Sequence, residues 1–177
     1  EEICLQSNWL SSLDYSLLIS TLIWYSIMFN TNLYDVLIHK LYNSMISLTY
    51  KNGFFIEYQN YTYVLNGHIY GIFSVYDYLN YTNCNEEQLL FFNKLINELA
   101  LVLPNFIVDK QDDTNYLTYY DGDFKHFTPR KNIGFVTNYS WIHINQIRIL
   151  TLISNNDKLI DIKNLLTNRL QKSKIYE

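Results

Sequence analysis

Charge is the first shortage. Charged residues make up 17% of the chain, against about a quarter in ordinary globular proteins. Arginine occurs three times, alanine once (Ala100), proline twice and glycine five times. The glycines Gly53, Gly67, Gly71, Gly122 and Gly134 are too scattered to build a Walker loop or a dinucleotide fingerprint. With only Cys4 and Cys84 there is no disulfide framework and no CxxC zinc pattern. HExxH and GxSxG are also missing. These gaps exclude the common motif-bearing nucleotide and zinc enzymes, and no cofactor is expected.

The sparse basic residues also bear on partners. Residues 1–90 carry 8 acids against 2 bases (Lys40, Lys51), and residues 91–177 carry 9 acids against 11 bases. A nucleic-acid face needs clustered Lys and Arg. Arg130-Lys131 and the terminal Arg169, Lys172 and Lys174 are better read as a solvated surface and a helix C-terminus. Nucleic acid is therefore not an expected partner.

What is abundant is asparagine and tyrosine, with 21 Asn and 17 Tyr. Together with Leu, Ile and Phe these are residues of AT-rich codons. The composition points to an AT-rich genome: a virus, an organelle or a parasite. Two unpaired thiols suit an intracellular setting, mitochondrial or in a virus-infected host cell. Sequons at Asn60, Asn80 and Asn138 are what so much Asn yields by chance. The acidic start (Glu1, Glu2) is unlike a secretory signal, which opens on positive charge. Residues 15–34 carry no charge, but seven Ser, Thr and Asn interrupt them. A buried helix is favoured there over membrane association.

With 177 residues and no linker or repeat, the chain reads as one compact domain, 1–177. It divides into a helical part, 1–52, and a mixed part of sheet and helices, 53–177. Leu13, Leu17, Trp24 and Met28 predict a central helix over 13–29. Leu33, Leu37, Leu41 and Met45 predict a second helix, ended by Asn52-Gly53. Two aromatic and β-branched runs, 54–65 and 68–78, flank Asn66-Gly67, the strongest short hairpin signal. Asn85 through Gln88 form a capping box for a third helix that Pro104 stops. Strands are expected at 106–108, 116–120 and 124–127, and one or two within 134–153. Asn155-Asn156-Asp157 opens a last helix with Leu159, Ile162, Leu166 and Leu170 on one face.

The expected fold is thus α+β: an antiparallel sheet with an Asn-Gly hairpin, and two N-terminal helices, one central helix and one C-terminal helix packed on it. From residue 54 the order β-β-α-β-β-β-α resembles the profilin, roadblock and longin folds. That resemblance implies a scaffold or adaptor module.

Three sets of candidate site residues emerge. Asn8-Trp9-Leu10 before a helix, and Asn66-Gly67-His68-Ile69-Tyr70, resemble segments carrying the Cys and His of papain-like viral proteases and some deubiquitinases. The resemblance implies a cysteine hydrolase with Cys4 and His68, or an inactive relative, since Asn8 occupies the nucleophile's place. Asp121, Asp123 and His126 offer hard ligands for a divalent metal, although an Asp-Gly turn caps itself without one. Tyr58, Tyr61, Tyr63, Tyr70, Tyr76 and Tyr78 crowd the expected hairpin. Tyrosine joins an apolar body to a polar tip, as protein interfaces require. His39 and His143 read as packing or surface residues.

The leading functional expectation is a non-catalytic structural or adaptor subunit, contacting other protein subunits or a second copy of itself. The alternative is the cysteine hydrolase or its inactive relative.

Overall fold

The computed structural model describes residues 11–56, 62–107, 118, 121–123 and 137–172. Among these, six α-helices dominate: α1 (Ser12–Phe29), α2 (Asp35–Thr49), α3 (Leu65–Thr82), α4 (Glu86–Val102), α5 (Thr137–Ser154) and α6 (Asp157–Lys172). A 3-10 turn, Leu103–Phe106, continues α4. The strands are short: β1 (Tyr50–Lys51) pairs with β2 (Phe54–Phe55), and β3 (Thr62–Val64) with β4 (Asp121–Asp123), both antiparallel. One isolated bridge joins Ile107 to Thr118.

The expected α+β sheet is therefore overturned: the described residues form a helical assembly with no central sheet. The error concentrates at Asn66-Gly67. Those residues lie in the first turn of α3, and neither has positive φ. Leu65, Ile69, Ile72, Val75 and Leu79 follow a helical period, but His68, Gly71, Ser74 and Tyr78 are buried as well. A helix enclosed on nearly every side has no polar face to reveal its period. The strands expected within 134–153 fail for a related reason. Ile142 and Ile144, then Ile147 and Ile149, alternate like a strand, yet Ser140, Ile144, Ile147 and Leu150 line the buried side of α5.

The hairpin forms instead at the other Asn-Gly pair. Asn52 (φ 49°) and Gly53 (φ 87°) join Lys51 to Phe54, the paired ends of β1 and β2. Both turn positions need positive φ, which Asn tolerates and Gly adopts freely. Asn also occupies the left-handed position at the ends of α1 (Asn30) and α3 (Asn83) and between α5 and α6 (Asn155). An asparagine-rich, glycine-poor chain has spent its second-best left-handed residue where Gly is customary.

α3 is the hub, packing against α1, α4 and α5, while α2 lies on α1 and α6 on α5. Its contact with β2 depends on Gly71, where an added methyl carbon would stand 2.6 Å from Phe55 Cγ. α1 packs on α3 through small residues. Ser16 of α1 and Ser74 of α3 both donate to Met45 Sδ, at 3.4 and 3.3 Å. The α4 capping box is present, with Gln88 N–H donating to Asn85 Oδ1 at 2.9 Å and Asn85 N–H donating to Gln88 Oε1 at 3.1 Å.

α1 departs from a central helix. It buries Ser12, Ser16, Ile19, Ile23 and Ser26 and leaves Leu17, Trp24, Met28 and Phe29 exposed. Leu33, just before α2, and Val36 and Leu37 of α2 are exposed apolar residues too. Two helical stretches among the described residues, Ser12–Phe29 and Glu86–Phe106, are long and apolar enough to cross a membrane by length and composition alone.

Candidate functional site at the amino end of α3

A buried polar cluster interrupts the apolar core where α3 begins and α5 crosses it. The local sequence explains its placement. β3 runs directly into α3, so Val64, the last strand residue, precedes the first helical turn with no side-chain cap. β4 pairs with β3 in the register Val64↔Asp121, Tyr63↔Gly122 and Thr62↔Asp123. Thr118, three residues before β4, is tied to Ile107 at the end of the 3-10 turn. On α5, Ser140, His143 and Gln146 recur at intervals of three along one flank.

These elements meet through hydrogen bonds. Thr118 N–H donates to Ser140 Oγ at 3.2 Å, and the Thr118 hydroxyl donates to the same oxygen at 3.4 Å. Thr118 Oγ1 also lies 2.9 Å from His143 Nδ1. Gln146 Nε2 donates to the Asn66 carbonyl at 3.4 Å, joining α5 to the first turn of α3. All five side chains are buried. Burial holds the His143 pKa down to about 3, so the ring is neutral at physiological pH.

His68 lies on the same turn of α3 as Asn66. Its ring stacks on Phe54 at a centroid separation of 3.7 Å and tilts against Phe55. Nδ1 accepts the Phe55 N–H at 3.0 Å. An amide nitrogen can only donate, so the neutral ring carries its proton on Nε2. Burial lowers this pKa to about 3 as well.

A second polar seam joins α2 to α3. His39 Nδ1 lies 2.5 Å from the Tyr78 hydroxyl, and Tyr78 stacks on Tyr42 at 3.7 Å. The Tyr81 hydroxyl donates to Asp35. Burial and the nearby Tyr78 push the Tyr42 phenol up to about 12. Tyr78 is raised by burial, and Tyr81 by its bond to Asp35.

A family model described as D-glucuronyl C5-epimerase C-terminus matches residues 1–168, which reach from before α1 nearly to the end of α6. The chain belongs to the D-glucuronyl C5-epimerase C-terminal family. No curated protein matches it.

The expected site residues of this epimerase-family chain are distributed as follows. Cys4 lies outside the described residues, and His68 is enclosed in an aromatic box with Nδ1 occupied. Membership of an epimerase family does not favour the cysteine-hydrolase alternative. Asp121 and Asp123 lie in β4, and His126 is outside the described residues. Among the described residues no three His, Cys, Asp or Glu side chains gather as metal ligands. Tyr58 and Tyr61 lie outside the description, and Tyr63 is in β3. Tyr70, Tyr76 and Tyr78 are on helix α3, not on a hairpin, and Tyr78 is buried against Tyr42.

Sequence reasoning missed Ser140, Gln146, Thr118 and Asn66, and took His143 for a packing or surface residue. The missed signal is polar residues at helical spacing inside an apolar segment. Read as a strand, Ser140, His143 and Gln146 have no common face; read as a helix, they share a flank.

Proposed function

We propose that this chain is the helical domain of an enzyme that inverts C5 of D-glucuronyl residues, with the amino end of α3 at the uronyl site. The family match over residues 1–168 carries this reading. The C5 hydrogen of a glucuronyl residue is α to the carboxylate carbon. A base removes that proton, and the electron pair of the broken C5–H bond passes into the carboxylate group. A proton delivered to the opposite face of C5 gives the L-iduronyl epimer with no net oxidation. The reaction therefore needs an acid–base pair and hydrogen-bonding groups that fix the sugar ring.

The buried cluster supports the reading because Thr118, Ser140, His143, Gln146 and Asn66 are neutral hydrogen-bonding groups of the kind that hold a polyhydroxylated ring or brace the backbone beside it. The β3–β4 ladder brings Tyr63, Asp121 and Asp123 to the same end of α3, and the acid–base groups are sought first among them. The test is incubation of the full-length protein with a D-glucuronyl polysaccharide in D2O. Deuterium at C5 together with L-iduronyl residues supports the proposal, and neither signal over many hours refutes it. Tyr63→Phe, Asp121→Asn and Asp123→Asn then identify the pair by a loss of about 100-fold or more in kcat.

The exposed apolar residues of α1 and α2 favour a second reading, in which the chain is a non-catalytic structural or adaptor subunit contacting other protein subunits or a second copy. Sedimentation of the wild type and a Trp24→Glu, Met28→Glu variant tests it. A monomeric wild type that brings no companion subunit through purification rejects it.

A further inference from the structure

Two acceptors in the buried cluster have nothing to accept. Asn66 Oδ1 and Gln146 Oε1 are closed to solvent and without a hydrogen-bond partner, on residues 7% and 4% exposed. The two residues already touch. Gln146 Nε2 donates to the Asn66 carbonyl at 3.4 Å, which settles how the Gln146 carboxamide faces. Turning it over would set oxygen against oxygen. Leaving such an acceptor unpaired in the interior is costly, and Leu or Met would fill either position without that cost.

Resting on the reading of this cluster as part of a uronyl site, we infer that Asn66 and Gln146 together bind one neutral O–H donor, either a water molecule or a hydroxyl group of the sugar ring. The chemistry follows from the two atoms. Both are uncharged acceptors, so they suit a group with a proton to give and oppose a carboxylate, which can only accept. A hard divalent cation would require six or more oxygen ligands. Water donates twice and can serve both oxygens at once, as buried waters do at polar core sites. A ring hydroxyl donates once and can replace it.

Two measurements on the full-length protein test this. The first is the affinity of methyl β-D-glucuronide and of analogues with each ring hydroxyl replaced in turn by fluorine, which cannot donate. Were a ring hydroxyl the ligand, one analogue would bind the wild type about tenfold more weakly than the parent, the value of one hydrogen bond. Gln146→Met would close that gap. The second is a high-resolution crystal structure of the unliganded protein. Were water the ligand, it would stand within hydrogen-bonding distance of both oxygens in the wild type and be gone from Gln146→Met. Equal affinities for all analogues, combined with no water between the oxygens, would overturn the inference. A protein that neither binds the glucuronide nor exchanges C5 hydrogen defeats the uronyl reading, while the water measurement still decides the role of Asn66 and Gln146.

Discussion

Gly71 and Phe55 occupy one another's space: the ring of Phe55 lies where a side chain on Gly71 would project, with Cγ 2.6 Å from the position of its first carbon. This contact sets the hairpin of β1 and β2 against the hub helix. It also brings Phe54 and Phe55 around His68. Gly71→Ala should destabilise the fold by about 1–3 kcal/mol through overpacking, read as a lower midpoint in urea. Phe55→Leu in the same chain should recover part of the loss. An unchanged midpoint for Gly71→Ala would mean that α3 and β2 do not approach so closely.

The two buried histidines predict acid sensitivity. Each has its pKa lowered by burial from 6.5 to about 3. The unfolded chain binds the proton more readily, so the stability from keeping these rings neutral is fully present above pH 6.5. It is lost as pH falls toward 3. Each ring should make stability fall with every pH unit within that window. Urea titrations at pH 7 and 5 should show the drop, and His143→Gln should reduce its slope. A flat profile would show that neither ring is buried in the neutral form.

Gly53 should resist replacement for a reason unrelated to packing volume. Its φ of 87° lies where side chains are strained, and an added methyl would also crowd the Glu98 carboxylate, 3.1 Å away. Gly53→Ala should cost about 1–2 kcal/mol, and Gly53→Asn less, because Asn enters the left-handed region more easily. Thermal denaturation of both variants decides the matter, and equal melting temperatures would argue against the turn.

Thr118→Val tests the brace behind the proposed site. It preserves shape but removes the hydroxyl that meets Ser140 and His143. Stability should fall by about 1–3 kcal/mol. If the cluster positions groups for C5 inversion, kcat for deuterium incorporation should fall more than KM rises, and Thr118→Ser should restore it. Full activity in Thr118→Val would separate the cluster from the reaction.

Much of the local structure was legible before any fold was known. The α4 capping box is spelled out by Asn85 and Gln88, and α6 opens at the Asn156-Asp157 signal. Their apolar stripes repeat at 3.6 residues because each helix buries one side only. α3 was misread because burial on several sides erased the contrast between faces, and α5 because Trp141, Ile149 and Leu152 make its exposed side apolar as well. Their many Ile, Val and Tyr residues also carry β propensity, which is weaker than the tertiary packing that made them helical. The polar cluster was hidden by the same mistake, since Ser140, His143 and Gln146 share a flank only on a helix.

The amino-acid sequence by itself determined the starts of α4 and α6 and the supply of apolar surface, because a cap depends on neighbours a few residues apart. It could not choose between two Asn-Gly pairs. Only the tertiary structure decided that Asn52-Gly53 turns the chain while Asn66-Gly67 enters a helix. The physical reason is burial. Enclosing Leu65, Ile69, Ile72 and Leu79 among α1, α4 and α5 removes more apolar surface from water than a half-exposed hairpin could. That gain also carries His68, Asn66 and their unpaired polar atoms into the interior.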